Sequence, residues 1–234
     1  MGKESTTKRT KSARNAPLAK PPVATPRKPA PPKALAKKAN GTPTETLQAL
    51  FDKCLPAPPK PTSKGQPEKL TWSLYNGLTL GADATLKTQV WDLFAVNMEE
   101  QYKEAKDPHI KWNPREKKEE LFNDLSRLII VQDAQGDVQA FSMFRFEAEK
   151  NYHGKMEFLM YIYEIQVAEG LRGTGICRRA FTALESIARE FQAQLIMLTC
   201  FKSNTHALSI YEHFGYQEHI DTTDTAKVFW KPIE

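Results

Sequence analysis

The sequence predicts an α/β fold with a mixed, mostly antiparallel central sheet flanked by helices. Three apolar runs with strand character follow one another between residues 128 and 169, separated only by short turn-forming segments. After them, helical and strand patterns alternate to the end of the chain. A meander that then crosses over through a helix into a parallel neighbour is typical of three-layer α/β sheets, whose ligand crevice lies where neighbouring strands diverge.

Composition divides the chain into a basic tail and one domain. The chain has 234 residues and a net charge of +5, yet its first forty residues contain eleven basic residues and one acid, so the remainder is mildly acidic. These forty residues are rich in Pro, Ala and Lys, lack aromatic residues, and cannot bury enough apolar surface to offset the entropy of ordering. We therefore predict a disordered tail over residues 1–43 and one domain over residues 44–234, with a core at about residues 68–232.

The basic tail admits three interpretations. Gly2 and Thr6 match the N-myristoylation pattern, and a lipid chain beside a basic patch would form a two-signal membrane anchor. The basic cluster Lys8-Arg9-Thr-Lys11 could equally serve nuclear import or contact nucleic acid and nucleosomes. A solvated tail without a specific partner is the third interpretation.

Cysteine and histidine usage predicts an intracellular protein without a metal site. Cys54, Cys177 and Cys200 have no paired spacing, which favours reduced thiols over a disulfide framework. The five histidines show no ligand spacing for a metal, and no apolar run has the length of a membrane span. We expect a monomer located in the nucleus and cytoplasm.

Helix signals place three helices before the meander. Thr44 or Thr46 can cap a short helix that ends at the proline-rich stretch 56–67. Apolar residues recur at helical spacing over residues 83–104. The segment Asn113-Pro-Arg-Glu116 combines an N-cap, a proline at the first helical position and a capping-box acid, so it predicts another helix start.

The other elements follow from alternation and from apolar runs bounded by turn signals. Strands are predicted at residues 70–74, 128–131, 138–146, 155–169, 195–199 and 228–230, and helices at residues 176–191 and 204–214.

The most informative segment for function is the strand Tyr161-Ile-Tyr-Glu-Ile-Gln-Val167 and the glycine loop after it. The loop Arg172-Gly-Thr-Gly-Ile-Cys177 leads into a helix, which places backbone N–H groups and a helix dipole where they can hold a phosphate. Glu164 lies in that strand, and an unpaired buried acid is costly, so it needs a partner such as an arginine in the sheet, or a catalytic role. Strict alternation places Glu164 opposite Tyr161 and Tyr163, unless a bulge re-aims them.

The glycine loop resembles the acetyl-CoA loop of the GNAT superfamily of N-acetyltransferases, whose pattern is Arg/Gln-x-x-Gly-x-Gly/Ala. In this sequence Cys177 replaces the last small residue. Residues 197–216 are similar to the second cofactor element of the superfamily, with Asn204 after a strand and Tyr211 on the following helix. The resemblance implies a GNAT fold and an acyltransferase that uses acetyl-CoA as co-substrate.

The likeness narrows to the NatD family of histone-specific N-terminal acetyltransferases. It is carried by four pieces, Lys111–Lys117, Phe141–Phe146, Tyr161–Gln166 and Met197–Lys202. Members of that family acetylate the α-amine of core histones that begin Ser-Gly-Arg-Gly. The resemblance therefore implies that this chain acetylates histone N-termini in chromatin.

The resemblance also implies residue roles. Glu164 would be the base, directly or through a water, and Tyr211 would protonate the leaving sulfur. The implied cofactor-binding residues are Ile165, Gln166, Val167, Arg172, Gly173, Thr174, Gly175, Ile176, Cys177, Arg178 and Asn204. The implied substrate-binding residues are Tyr102, Glu147, Glu149, Tyr163 and Thr199.

Alternatives stay open at this point. Glu147 and Glu149 share one strand face by the period of two, and they could hold a substrate cation or be solvated edge charges. The same fold could acetylate a lysine side chain or a small amine. A protein of a different class, a non-catalytic chromatin-binding protein that acts through its basic tail, is the third reading.

Overall fold

The computed structural model describes residues 30–58 and 69–233. Its helices are α1 (Pro32–Asn40), α2 (Thr44–Cys54), α3 (Gly77–Ala82), α4 (Ala84–Ala105), α5 (Pro114–Leu121), α6 (Ile176–Glu190) and α7 (Thr205–His213). Its strands are β1 (Thr71–Asn76), β2 (Arg127–Gln132), β3 (Val138–Lys150), β4 (Met156–Val167), β5 (Leu195–Phe201), β6 (Gln217–Glu218) and β7 (Ala226–Pro232). A single 3-10 turn, Glu169–Leu171, lies between β4 and the glycine loop.

The strands of the described part form one sheet in the order β1-β2-β3-β4-β5-β7-β6. β4 and β5 pair in parallel, and the other neighbouring strands pair in antiparallel fashion. Helix α6 is the crossover connection between the two parallel strands. The predicted mixed, mostly antiparallel sheet is therefore confirmed.

Helices cover both faces of the sheet, because alternate residues of the central strands are apolar on each side. On one face, α2 and α6 cover Phe146, Phe158 and Met160 of the sheet, and α6 contributes Phe181 and Ile187 to the same cluster. On the other face, α4 packs on a cluster that includes Val90, Phe94, Phe141 and Met143. The central strands thus lie between two apolar layers, which fixes the position of β4.

The predicted tail boundary at residue 43 is wrong, because helix α1 belongs to the folded domain. Ala36 and Ala39 are buried against the sheet, and the Asn40 side chain donates to the carbonyl of Phe146 at 2.8 Å. The Arg127 guanidinium donates to the carbonyl of Asn40 at 2.6 Å. Alanines are too small to mark a buried helix in a lysine-rich segment, so composition alone missed it. The rest of the predicted tail, residues 1–29 with Gly2, lies outside the described residues.

Helix α3 and strand β6 were also absent from the sequence predictions. Gly77 explains why α3 can begin directly after β1: a Cβ at this position would lie 2.2 Å from the carbonyl oxygen of Asn123. Only glycine allows this close approach of two backbone segments. The Asn76 side chain caps the helix by accepting from the amide of Leu78 at 2.9 Å. Among the described residues, no helix combines the length and apolarity needed to cross a membrane.

Candidate active site

The two parallel strands separate halfway along their length. β4 and β5 are paired from Leu159 opposite Leu195 to Ile162 opposite Leu198, and the pairing stops there, although β4 continues to Val167. A cavity of about 520 Å³ opens at this divergence, with walls from α4, α5, β3, β4, β5 and α7. The crevice predicted from the topology is therefore present.

A bulge in β4 decides which side chains face the cavity. Met143 on β3 pairs with Glu164, whereas the next residue, Phe144, pairs with Ile162, so Tyr163 is the extra residue. Bulges of this kind re-aim side chains near active sites.

The bulge corrects the expectation from strict alternation. Tyr163 packs with the cluster on the α4 face, and Glu164 contacts Lys117 of α5 on that same side. Tyr161, Tyr163 and Glu164 all line the cavity. The tyrosines and the carboxylate are thus brought together, which a flat strand would not allow.

Glu164 is buried in the cavity wall, with 6% of its surface exposed, and both of its carboxylate oxygens accept hydrogen bonds. Oε1 accepts from Lys117 Nζ at 2.8 Å, and Oε2 accepts from Gln166 Nε2 at 2.8 Å. Burial raises the pKa of Glu164 above its usual value, while Lys117 and Gln166 act in the opposite direction. The acid therefore has the partner that its burial requires, but this partner is a lysine from a helix and not an arginine in the sheet.

Lys117 is a functional candidate that sequence reasoning missed. Its ammonium bridges Glu164 and Glu120, and it lies 5.4 Å from the centre of the Phe94 ring. Burial alone would lower the pKa of Lys117, but the neighbouring carboxylates raise it above its usual value, so the side chain is a cation. The sequence indicates that a buried Glu164 needs a cation as partner. It does not indicate that this cation is Lys117, because no local pattern shows that α5 lies beside β4.

Local signals before α5 place this lysine. The Asn113 side chain accepts from the amide of Glu116 at 3.3 Å, and Pro114 occupies the first helical turn. Trp112, just ahead of this cap, stacks on Phe94 with ring centres 5.8 Å apart. The cap and the stacked ring together hold the start of α5 against α4, and Lys117 follows one turn later.

The predicted substrate residues gather on one side of the cavity. Tyr102, Glu149, Tyr163 and Thr199 line it. The hydroxyls of Tyr161 and Thr199 are hydrogen-bonded at 2.5 Å. Glu147 does not line the cavity, but its carboxylate accepts from the hydroxyl of Tyr163 at 3.2 Å.

Acidic side chains make this wall negative. Glu120 and Glu149 line the cavity, and burial together with the charges of Glu147 and Asp221 raises the pKa of Glu149. Like charges held close together are relieved by a bound cation. This wall is therefore suited to a positively charged acceptor.

Tyr211 of α7 and Asn204, the cap of that helix, also line the cavity. The Tyr211 ring is buried between Phe181 and Phe229, with ring centres 5.8 and 5.6 Å away. Burial raises the pKa of Tyr211 well above its usual value, so its phenol stays protonated. The Asn204 side-chain oxygen caps α7 by accepting from the amide of Ala207 at 3.3 Å, which leaves the NH₂ group to other partners.

The glycine loop presents its backbone at the start of α6. Gly173 and Gly175 have positive φ angles of 78° and 90°, and a Cβ at Gly173 would meet nothing within 4 Å. Gly175 caps α6 without a side-chain hydrogen bond, and the first turn contains no acid. An open helix start with these features suits an anionic group.

The side chains of the loop mostly contact protein. Ile176 is buried in the core, Thr174 donates to the carbonyl of Leu171 at 2.7 Å, and Arg178 lies over the Phe214 ring at 4.8 Å. Burial raises the pKa of Cys177 to about 12, so this residue is a neutral thiol. Of the predicted cofactor residues, Ile165, Gln166 and Asn204 line the cavity, whereas Val167 and the loop residues 172–178 lie beyond it.

A sequence model described as the acetyltransferase (GNAT) family matches residues 88–216, more than half of the chain. The chain belongs to the GNAT family. The match includes α5, β4, β5 and α7, which line the cavity, together with the glycine loop and α6. The resemblance stated from the sequence is thus confirmed at the level of this family.

Solved structures show the same GNAT fold. A GNAT acetyltransferase from Staphylococcus aureus has a TM-score of 0.53 at 11% identity and covers 70% of this chain and 99% of its own. The NatC complex bound to Gag peptide and CoA has a TM-score of 0.51 at 15% identity, covering 70% of this chain and 99% of its own. A Pyrococcus horikoshii protein has a TM-score of 0.52 at 15% identity, and the match covers 71% of this chain and 99% of that protein.

GNAT membership implies an acetyl-CoA-dependent acyltransferase, and the observed residues fit this co-substrate. The open start of α6 and the glycine loop suit its phosphates, and the unpaired edge of β4 beyond Ile162 leads from the loop to Glu164. Within residues 30–58 and 69–233, no group of three or more His, Cys, Asp or Glu side chains is arranged to hold a metal ion.

Proposed function

We propose that this protein acetylates the α-amine of histone N-termini of the Ser-Gly-Arg-Gly type. The observation that carries the proposal is the buried Glu164 in a cavity that is also lined by the acidic side chains of Glu120 and Glu149. The NatD-like pieces support it, because Lys111–Lys117 and Tyr161–Gln166 supply Lys117, Tyr161, Tyr163 and Glu164 of this cavity.

Acetyl-CoA supplies an acetyl group activated as a thioester. The backbone N–H groups of the loop from Arg172 to Arg178 would hold its phosphates. Main-chain groups of Ile165 to Val167, which have no partner on β5, would face its pantetheine arm. Asn204, which lines the cavity, would use its NH₂ group on the same arm.

Glu164 would accept the proton of the attacking amine, directly or through a water. An α-amine has an unperturbed pKa of about 8, so much of it is protonated at neutral pH and must lose a proton to react. A base is most effective when its pKa approaches the working pH. Burial raises the pKa of Glu164 in that direction, whereas the hydrogen-bonded Lys117 lowers it and so favours the ionised carboxylate.

Tyr211 would donate the proton that the leaving sulfur needs. Its phenol stays protonated because burial raises its pKa, and it lines the cavity on the side of Asn204. Base and acid are thus supplied by different elements, β4 and α7.

The acidic wall would select the acceptor. Glu149 and Glu120 line the cavity, and Glu147 is connected to it through the Tyr163 hydroxyl. A histone start of the Ser-Gly-Arg-Gly type has an α-ammonium and an arginine at its third position. Charge-assisted hydrogen bonds from these cations to the carboxylates would hold the peptide in register.

Mass spectrometry of peptide acetylation tests the proposal. The protein is incubated with acetyl-CoA and a Ser-Gly-Arg-Gly peptide, either with a free N-terminus or with a blocked one. We expect one acetyl group on the free peptide and none on the blocked peptide. Acetylation of the blocked peptide would instead identify a lysine side chain as acceptor, and no transfer to either peptide would favour a binding protein.

We further propose that residues 1–29 target the enzyme to the nucleus or to nucleosomes, with N-myristoylation of Gly2 as a competing membrane address. Deleting residues 1–29 should leave peptide acetylation nearly unchanged, and the cut must stop before α1, which is part of the fold. Imaging in cells compares the full-length chain, its Gly2→Ala variant and the shortened chain: loss of membrane location in Gly2→Ala would indicate the lipid anchor, whereas loss of nuclear location only in the shortened chain would indicate nuclear targeting.

A further inference from the structure

A chain of side-chain hydrogen bonds links the glycine loop to Glu164. Arg172 Nη2 donates to Asn97 Oδ1 at 2.8 Å, and Asn97 Nδ2 donates to Gln166 Oε1 at 3.0 Å. Gln166 Nε2 then donates to Glu164 Oε2 at 2.8 Å. Asn97 and Arg172 are further held by the carbonyl of Val167, at 3.2 and 3.3 Å.

Which group donates and which accepts in each of these hydrogen bonds is fixed by Arg172 at one end of the network and Glu164 at the other. An arginine only donates, so Asn97 must turn its oxygen towards Arg172. The NH₂ group of Asn97 is then turned towards Gln166, which must accept with its oxygen. This orientation leaves the NH₂ group of Gln166 facing Glu164, which as a carboxylate only accepts.

Burial makes the last bond of the chain strong. Gln166 and Glu164 are 5% and 6% exposed, so water competes poorly for their hydrogen bonds. Hydrogen bonds to an ionised group in such surroundings are about twice as strong as neutral ones. If one amide of the hydrogen-bond network is reversed, Glu164 loses its donor from Gln166, and its ionised form becomes less stable.

We propose that Asn97 and Gln166 are positioning residues that transmit the hydrogen-bond direction from Arg172 to Glu164 and so keep the carboxylate ready to accept a proton. The inference rests on the proposed role of Glu164 as base. Neither amide needs to touch the reacting atoms for this purpose. Asn97 connects the two halves of the site through α4, an element that contains no predicted cofactor residue.

Other groups also shift the pKa of Glu164, and the test variants must leave them unchanged. Lys117 of α5 lowers its pKa and Glu120 raises it, whereas burial is the largest influence and raises it. Tyr102 of α4 and Tyr211 of α7 lie near enough to interact with its charge, and both are phenols with raised pKa values. Losing the Gln166 donor should therefore raise the pKa of Glu164 while these neighbours stay in place.

Asn97→Asp is the decisive variant, because it keeps the shape of the side chain and the contact with Arg172 but removes the donor. Gln166 would turn its NH₂ group towards the new carboxylate and present its oxygen to Glu164. Val96→Asp is the matched control, since it adds the same charge to the neighbouring residue of α4 at a position that is 82% exposed. Gln166→Met is a second variant that removes the donor without adding charge.

The titration of Glu164 is measured by ¹³C NMR of its carboxyl carbon, assigned by its loss in Glu164→Gln. Thermal melts verify folding, and calorimetry measures CoA affinity. In Asn97→Asp and Gln166→Met we expect the pKa of Glu164 to rise by about one pH unit, and the acidic limb of the pH profile of kcat/KM to move upward by the same amount. The CoA affinity of Asn97→Asp should stay within about twofold of that of the parent protein. Val96→Asp should shift neither.

Equal titration curves in Asn97→Asp and Val96→Asp would overturn the inference, and so would an unmoved curve in folded Gln166→Met. The proposed function fails separately, if the parent protein transfers no acetyl group to a free peptide N-terminus. A moved carboxyl titration without any transfer would keep the network and reject the role of Glu164 as base.

Discussion

The two halves of the proposed active site, one for the cofactor and one for the acceptor, are built from different kinds of groups. The proposed cofactor half consists of the backbone of one continuous loop, with Gly173 and Gly175 in left-handed conformations ahead of a helix start that has no side-chain cap. The acceptor half uses side chains from five elements, among them Lys117 of α5, Glu149 of β3 and Glu164 of β4. A backbone site tolerates changes of side chain, whereas a side-chain site depends on each charge and on its partner.

The largest expected effect is that of Glu164→Gln. The variant removes the base but keeps the shape of the side chain, so kcat for peptide acetylation should fall about 100-fold or more. Affinity for acetyl-CoA, measured by calorimetry, should change less than about twofold because the loop backbone is untouched. Unchanged turnover would show that the acceptor half does not need this carboxylate.

Replacing Lys117 tests whether the acceptor half depends on its buried cation. In Lys117→Met the pKa of Glu164 should rise further, because the cation that lowers it is gone. Once that pKa lies above 7, fewer carboxylates are ionised at neutral pH, so kcat/KM should fall about tenfold for each further pH unit by which the pKa rises, and it should recover at higher pH.

Lys117→Arg serves as the control, since it keeps the positive charge beside Glu164 and should move the acidic limb much less. A pH profile of kcat/KM that is the same in Lys117→Met and in the parent protein would contradict a role for this ion pair in catalysis.

Glu149→Gln should act on the peptide and not on the cofactor. Losing one charge-assisted contact to the substrate should raise the KM for the Ser-Gly-Arg-Gly peptide about tenfold, with little change for acetyl-CoA. Glu45→Gln removes an equal charge from α2, which packs on the opposite face of the sheet, and should leave both KM values unchanged. If both substitutions raised the KM for the peptide equally, the effect would come from the net charge of the protein and not from a contact between Glu149 and the peptide.

The smallest effects are expected in the cofactor half. Gly175 has a φ of 90°, so Gly175→Ala should strain the loop by about 1–2 kcal/mol and raise the KM for acetyl-CoA several-fold. Cys177→Ala leaves the backbone unchanged and removes a neutral thiol, so we expect a change of less than about threefold. If Cys177→Ala raised the KM for acetyl-CoA more than Gly175→Ala does, cofactor binding would depend on side chains of the loop more than on its backbone.

Sequence reasoning succeeded where the signal is local. The glycine loop, the cap at Asn113, the helical spacing of residues 83–104 and most strands were predicted, because each depends on neighbouring residues. It failed for α1, whose burial depends on Ala36 and Ala39 meeting the sheet at a distance along the chain. The glycine loop also carried the family resemblance, which the match to the GNAT family confirms.

The sequence by itself determined that an acid lies in an apolar strand just ahead of a glycine loop and a helix start, since these features are contiguous in the chain. Only the tertiary structure decided what Glu164 faces and what holds it. The bulge at Tyr163 depends on the pairing register of β3 and β4. Lys117 of α5 and Gln166 of β4 both donate to Glu164, and Asn97 of α4 donates to Gln166. Register and long-range packing are set by the whole core, because no local sequence pattern determines which distant side chains meet.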